Sequence, residues 1–212
     1  MEYSEKAVLI PADGMLFEGT FIMPKKAKGI VIFAHGSGSS RKSPRNNFVA
    51  KVLRENGIGT LLFDLLSEEE DRIYDNRFNI PLLSRRLLAA TKWLRSQPEG
   101  KGRKIGYFGS STGSAAALTA ATEPGNRIDA VVSRGGRPDL AMMVLGMLKS
   151  PTLLIVGGDD DVVIGMNQDA YLHMKCEKEM SIIPRAGHLF EEPGSLEDVA
   201  KQAARWFREY LK

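Results

Sequence analysis

Gly106-Tyr107-Phe108-Gly109-Ser110-Ser111-Thr112-Gly113 is a short apolar run that breaks into G-x-S-x-G and continues as Ser114-Ala115-Ala116-Ala117-Leu118. That order predicts a strand, a tight turn and a helix, with Ser111 at the tip of the turn. Glycines at 109 and 113 suit a turn too sharp for side chains on either flank. Such a turn lifts a hydroxyl clear of the backbone and sets it at a helix start, where developing negative charge is favoured. The pattern is short enough to arise by chance; the strand before it and the helix after it carry the weight. Ser111 is the candidate nucleophile, and an ordinary Gly-rich turn is the alternative.

A nucleophilic serine needs a base, an acid to orient the base, and donors for an oxyanion. The chain has three histidines. His35 opens His35-Gly36-Ser37-Gly38-Ser39-Ser40-Arg41-Lys42-Ser43, directly after the apolar run Gly29–Ala34. Arg41 stands where both the P-loop pattern and G-x-G-x-x-G require glycine, so nucleotide binding is disfavoured. A His-Gly loop of small residues instead offers backbone N–H groups to an oxyanion, with Ser37 and Thr112 as donors and His35 bracing the loop. His173 falls within a helical pattern. His188, in Pro184-Arg185-Ala186-Gly187-His188-Leu189-Phe190 after the last apolar run, is the natural base. The orienting acid comes from Gly157-Gly158-Asp159-Asp160-Asp161, with all three aspartates open; the bland alternative is a turn that uses Asp for local hydrogen bonds. Ser, then Asp, then His, each after a different strand, is the chain order of a nucleophile-elbow triad.

The elements that would position these residues alternate. Two strands, Lys6–Ile10 and Leu16–Met23, join at Ala12-Asp13-Gly14 as a hairpin. Strands are then expected at Gly29–Ala34, Gly59–Phe63, Lys104–Phe108, Ala130–Ser133, Thr152–Val156 and Met180–Ile183. Helices are expected at Pro44–Arg54, Leu82–Leu94, after Ser111, at Pro138–Leu148, Asn167–Met174 and Ser195–Leu211, the last with Ser195 as N-cap and Asp198 three residues on. Leu65–Asn79 reads as an irregular, partly acidic loop. The alternation predicts an α/β fold: one domain over residues 1–212, a mostly parallel sheet of about eight strands, and helices on both faces. Ligands bind such sheets outside the carboxyl ends of the strands.

Composition narrows the class. The 212 residues are 43% apolar and 26% charged, with net charge +3. The basic residues are interspersed with acids, which argues against a nucleic-acid or membrane footprint. The single cysteine, Cys176, excludes an internal disulfide. No metal-ligand spacing is present, and neither a metal nor an organic cofactor is expected. The N-terminus lacks the basic and apolar regions of a signal peptide, so a cytoplasmic location is expected. Arg41, Arg134 and Arg137 follow predicted strands and are candidates to pair with an anionic substrate group, or else are solvated or structural arginines. Met142, Met143, Leu145, Met147 and Leu148 suit core packing better than an acyl pocket.

These segments together resemble the α/β-hydrolase superfamily, in particular its compact dienelactone-hydrolase-like members. The resemblance rests on Phe33-Ala34-His35-Gly36-Ser37-Gly38, Gly109-Ser110-Ser111-Thr112-Gly113, Ser133-Arg134-Gly135-Gly136-Arg137-Pro138-Asp139-Leu140, Leu153-Leu154-Ile155-Val156-Gly157-Gly158 and Ala186-Gly187-His188-Leu189-Phe190-Glu191-Glu192-Pro193-Gly194. It extends to small bacterial hydrolases sometimes fused to phosphoribosyltransferase domains; no such domain is expected within these 212 residues. The family pattern Gly-Gly-x-Asp selects Asp160 among the three aspartates. Serine at 111 departs from the dienelactone hydrolases proper, whose nucleophile is usually cysteine. The resemblance implies a serine hydrolase of small esters or thioesters without a large cap. The alternatives are an acyltransferase or peptidase with the same triad, or a non-catalytic member that binds a small ligand or partner.

Overall fold

The computed structural model describes residues 2–212. Its centre is an eight-stranded sheet in the order β1-β2-β4-β3-β5-β6-β7-β8. Strands β1 (Tyr3–Ala12) and β2 (Met15–Pro24) form the antiparallel hairpin, turned at Asp13 and Gly14, both at positive φ. β2 pairs antiparallel with β4 (Gly59–Phe63). The pairings among β4, β3 (Gly29–Ala34), β5 (Lys104–Ser110), β6 (Ala130–Arg134), β7 (Thr152–Gly157) and β8 (Lys178–Ile183) are all parallel.

The unbroken apolar runs have the reason expected for a sheet covered on both sides. Along β3, Ile30, Ile32 and Ala34 join one core, and Val31 and Phe33 join the other. Helices α1 (Pro44–Glu55) and α6 (Ser195–Tyr210) bury Val49, Leu53, Val199, Ala203 and Phe207 on the second face. The first face is covered by α3 (Ile80–Ser96), α4 (Thr112–Thr122) and part of α5 (Asp161–His173), through Leu83, Leu87, Ala116 and Ala170.

Four local expectations need correction. Leu65–Asn79 is not irregular: it holds α2 (Glu68–Arg72) and a 3-10 turn, Tyr74–Phe78. Ser67 and Glu70 close a reciprocal capping box there, an S-x-x-E signal that was present in the sequence. Pro138–Met147 winds as 3-10 rather than α-helix. Helix α5 starts at Asp161, six residues before the expected Asn167, with Asp160 at the N-cap position. The N-cap of α6 is Gly194 in the left-handed conformation, which makes Ser195 the first helical residue.

From β3 the chain passes to β4 on one side, while β5 pairs on the other side of β3. Consecutive connections therefore leave β3 and β5 in opposite directions, toward α1 on one face and α4 on the other. A crevice opens at the carboxyl ends of these two strands.

Candidate active site

Parallel register puts the strand ends side by side. Ala34 is opposite Gly109, Ser110 opposite Arg134, Arg134 opposite Ile155, and Gly157 opposite Ile183. The loops that begin at His35, Ser111, Gly135, Gly158 and Pro184 thus leave one edge of the sheet.

Ser111 occupies φ 50° and ψ −123°, a strained conformation for a residue with a side chain. It is held there from both sides: its N–H donates to Arg134 O at 3.2 Å, and its carbonyl accepts from Arg137 N–H at 3.2 Å and from Ser114 Oγ–H at 2.9 Å. Close packing leaves no alternative to the flanking glycines. A Cβ on Gly113 would stand 2.2 Å from Ala34 O, and one on Gly109 would stand 2.4 Å from Ser114 Cα. Ser111 is the N-cap residue of α4, yet its hydroxyl makes no capping bond. The Oγ is left at the start of a helix, half-buried and uncommitted.

His188 and Asp160 meet. His188 Nδ1–H donates to Asp160 Oδ2 at 2.7 Å, with both residues half-buried. A carboxylate only accepts, so the proton belongs on Nδ1 and the lone pair on Nε2. Asp160, at the N-cap position of α5, also makes no capping bond. Its neighbours serve otherwise: Asp159 N–H donates to Ala186 O at 3.0 Å, and Asp161 is the first residue of α5. The His188 loop lies over the ends of β6 and β7. A Cβ on Gly157 would be 2.3 Å from Ala186 O, and Gly135 sits 3.1 Å below His188 O on the same measure. Arg185 and Phe190, on either side of His188, both adopt positive φ.

His35 braces its loop, as the sequence suggests. Its Nδ1–H donates to Gly36 O at 3.0 Å and its Nε2 accepts from Leu65 N–H at 3.0 Å, which fixes the neutral tautomer. Burial pushes its pKa below the ordinary histidine value, against weaker opposing pulls from Gly36 O, Asp64 and Asp71. The unfolded chain therefore takes up this proton first as pH falls. Stability from His35 is complete above the ordinary value near 6.5 and is lost as pH drops through the depressed one. Between about pH 8 and about pH 5 the melting temperature of wild type should fall more steeply than that of His35→Gln, by scanning calorimetry at matched ionic strength. Parallel slopes would show that His35 is not the titrating group.

Ser37 and Thr112 line one small cleft together with His35, Gly36 and Arg77. Among the described residues neither of their N–H groups donates to a protein acceptor. A larger cleft of about 380 Å³ adjoins it, sharing His35, Leu66 and Asp71, and includes Phe17, Arg41 and Asp64.

The three candidate arginines separate. Arg41 is paired with Glu18 and with Asp64, the latter at 3.4 Å, on the wall of the larger cleft. Arg137 makes a bidentate pair with Asp139 at 2.8 and 2.9 Å. Arg134 is buried and, among the described residues, paired with no carboxylate. Sequence reading passed over Arg45, whose Nη1–H donates to Glu191 Oε1 at 3.0 Å across to the His188 loop. The available signal was a basic residue in the first turn of α1, where helix polarity favours acids. Met142 and Val144 pack partly buried against the core, Leu145 and Leu148 lie within it, and Met143 and Met147 point to solvent.

Among the described residues, no three His, Cys, Asp or Glu side chains stand together as metal ligands would. No helix among them is long and apolar enough to cross a membrane.

Comparison with known proteins gives a consistent frame. The chain is 52% identical to a dienelactone hydrolase from Anabaena variabilis ATCC 29413, with a TM-score of 0.96 over 100% of both chains. It superposes on Est1E from Butyrivibrio proteoclasticus with a TM-score of 0.82 at 16% identity, over 96% of this chain and 98% of that one, which speaks for the fold alone. Two Mycobacterium tuberculosis proteins, of strains CDC 1551 / Oshkosh and ATCC 25618 / H37Rv, are 51% identical over 207 residues; their names propose a phosphoribosyl transferase. The match covers 98% of this chain but 47% of each of theirs, so the chain spans about half the length of these relatives. The sequence profile of the dienelactone hydrolase family matches residues 17–212, and the chain belongs to that family.

Proposed function

We propose that this member of the dienelactone hydrolase family is a serine hydrolase of small carboxylic esters or thioesters. The observation that carries the reading is the 2.7 Å bond from His188 Nδ1–H to Asp160 Oδ2, which frees Nε2 on the sheet edge where strained Ser111 follows β5. Solved relatives of the same fold include proteins named as esterases.

In this reading Ser111 Oγ adds to the acyl carbonyl carbon while its proton passes to His188 Nε2. The oxyanion is received by the N–H groups of Ser37 and Thr112. Collapse expels the alcohol or thiol, which takes the proton from Nε2. Water then adds to the acyl-enzyme, giving its proton to Nε2, and Ser111 regains a proton as the carboxylic acid leaves. Asp160 keeps the imidazole in the required tautomer and stabilises the imidazolium. The cleft beside the proposed donors, lined by Phe17, Arg41 and Asp64 among others, suits a small, partly polar substrate. The phosphoribosyl transferase name belongs to proteins about half of whose length has no counterpart here, and is not carried over.

A fluorophosphonate probe tests the proposal directly. The expected result is one adduct, located on Ser111 by peptide mass spectrometry and abolished in His188→Ala. A folded protein that takes no adduct, or takes it on another residue, would refute the assignment.

A further inference from the structure

The side chain of Arg134 leaves the end of β6 on the α1/α6 face, with its guanidinium carbon 5.7 Å from the centroid of the Phe190 ring. The residue is 7% exposed, and Phe190 is 1% exposed. Arg134 Nε and Nη1 are buried with no hydrogen-bond partner, and among the described residues no carboxylate lies within 4.0 Å of its guanidinium. Burial, and after it the positive charge of Arg45, pull its pKa down to about 10. Arg45 Nε is also buried and unpartnered, and the first turn of α1, where Arg45 lies, has no acidic residue.

Isolated buried guanidinium groups are unfavourable, and the positive charge of Arg45 nearby adds to the cost at Arg134. The neighbouring acids leave Arg45 Nε and Arg134 Nε and Nη1 unmet. Glu191 is spent on Arg45 and mostly exposed, and Glu192 Oε2 is itself buried without a partner. Directional N–H donors from two cations suit an acceptor with several oxygens and a negative charge.

We propose that Arg134 and Arg45 form a binding site for a small free oxyanion, a carboxylate or a phosphate, that fastens the end of β6 to the loop carrying His188. Both ends of that connection are on the structure. Arg134 O receives the Ser111 N–H, Phe190 packs under the Arg134 guanidinium at φ 56°, and Glu191 is bound by Arg45. The anion would hold Phe190 in its left-handed conformation two residues from His188, and so position the imidazole. The guanidinium and Phe190 meet on the sheet face opposite α4, which favours a free ion over a group tethered to the scissile carbonyl. Anion binding itself is independent of the hydrolase reading; its effect on His188 rests on that reading.

The test measures binding of inorganic phosphate and of acetate to the whole chain, by calorimetry and by melting temperature at constant ionic strength with chloride as reference. Saturable stabilisation of wild type is expected, with affinity reduced roughly tenfold or more in Arg134→Met and in Arg45→Met. Arg41→Met, which removes an arginine already paired, should respond as wild type does. Without added anion, Arg134→Met should melt no lower than wild type, since it removes an unpaired buried charge. Absence of any response beyond ionic strength would overturn the proposal. So would equal destabilisation by Glu192→Gln and Arg134→Met, which would make Glu192 the partner of Arg134. A tenfold or greater preference for p-nitrophenyl hemisuccinate over p-nitrophenyl acetate that disappears in Arg134→Met would place the anion on the substrate instead. Fluorophosphonate labelling of Ser111 in the same samples shows separately whether the hydrolase reading stands.

Discussion

Ser111→Ala should lower turnover of p-nitrophenyl acetate by about 10⁴–10⁶ while leaving the fold intact. The two effects separate because the hydroxyl does no structural work: it makes no capping bond on α4, and the turn is held through the backbone of residue 111 and through Ser114. No nearby serine can take over. Ser110 is buried in β5, and the Ser114 hydroxyl is engaged with Ser111 O. Alanine keeps the strain of a side chain at φ 50°, so its melting temperature should stay near that of wild type. Ser111→Gly should be equally inactive but more stable by about 1 kcal/mol, because glycine adopts positive φ without penalty. Steady-state kinetics with calorimetry on all three proteins decides the matter. A Ser111→Ala enzyme that kept a tenth of its activity would remove Ser111 from the mechanism.

What the sequence made legible follows from where the physics is local. Apolar runs such as Gly29–Ala34 and Thr152–Val156 are buried on both faces, and their short length and β-branched residues suit a covered strand better than a helix. The turn at Ser111 is local too, since Gly109 and Gly113 are demanded by contacts within a few residues and by one neighbouring strand end. The placement of His188 over Gly135 and Gly157 depends on contacts between loops far apart in the chain. Its position after the last strand, the elimination of the other two histidines, chain order and family likeness point to it as the base, but not to these contacts. The same limit explains the arginines. Arg41 and Arg137 look alike in sequence to Arg134, but the first two face Glu18, Asp64 and Asp139 while the third faces an aromatic ring and another arginine. Helix starts differ from expectation for a related reason. Ser195 is a cap-type residue at the start of α6, yet Gly194 takes the cap position. Ser111 and Asp160 do stand at caps and yet withhold their side chains from the backbone.

That withholding makes Asp160 open to a clean test. Asp160→Asn should reduce turnover by on the order of 10⁴, as expected when the orienting carboxylate of such a triad becomes an amide. The cause is the tautomer. Asparagine can turn its NH₂ toward His188 Nδ1, which then accepts, and the proton moves to Nε2, where it blocks transfer from Ser111. Stability should change little, because the Asp160 carboxylate caps nothing on α5. The adjacent aspartates are internal controls. Asp159 is exposed and contributes its backbone N–H to Ala186 O, so Asp159→Asn should be indistinguishable from wild type in kcat/KM. Asp161→Asn should cost α5 a few tenths of a kcal/mol, about 0.3–1, through lost helix-dipole interaction and leave catalysis alone. Kinetics on the three single variants, with melting temperatures alongside, thus assigns the acid among three identical side chains in a row. Loss of activity in Asp159→Asn or Asp161→Asn with Asp160→Asn unaffected would mean that the 2.7 Å contact to His188 is not the one that orients it.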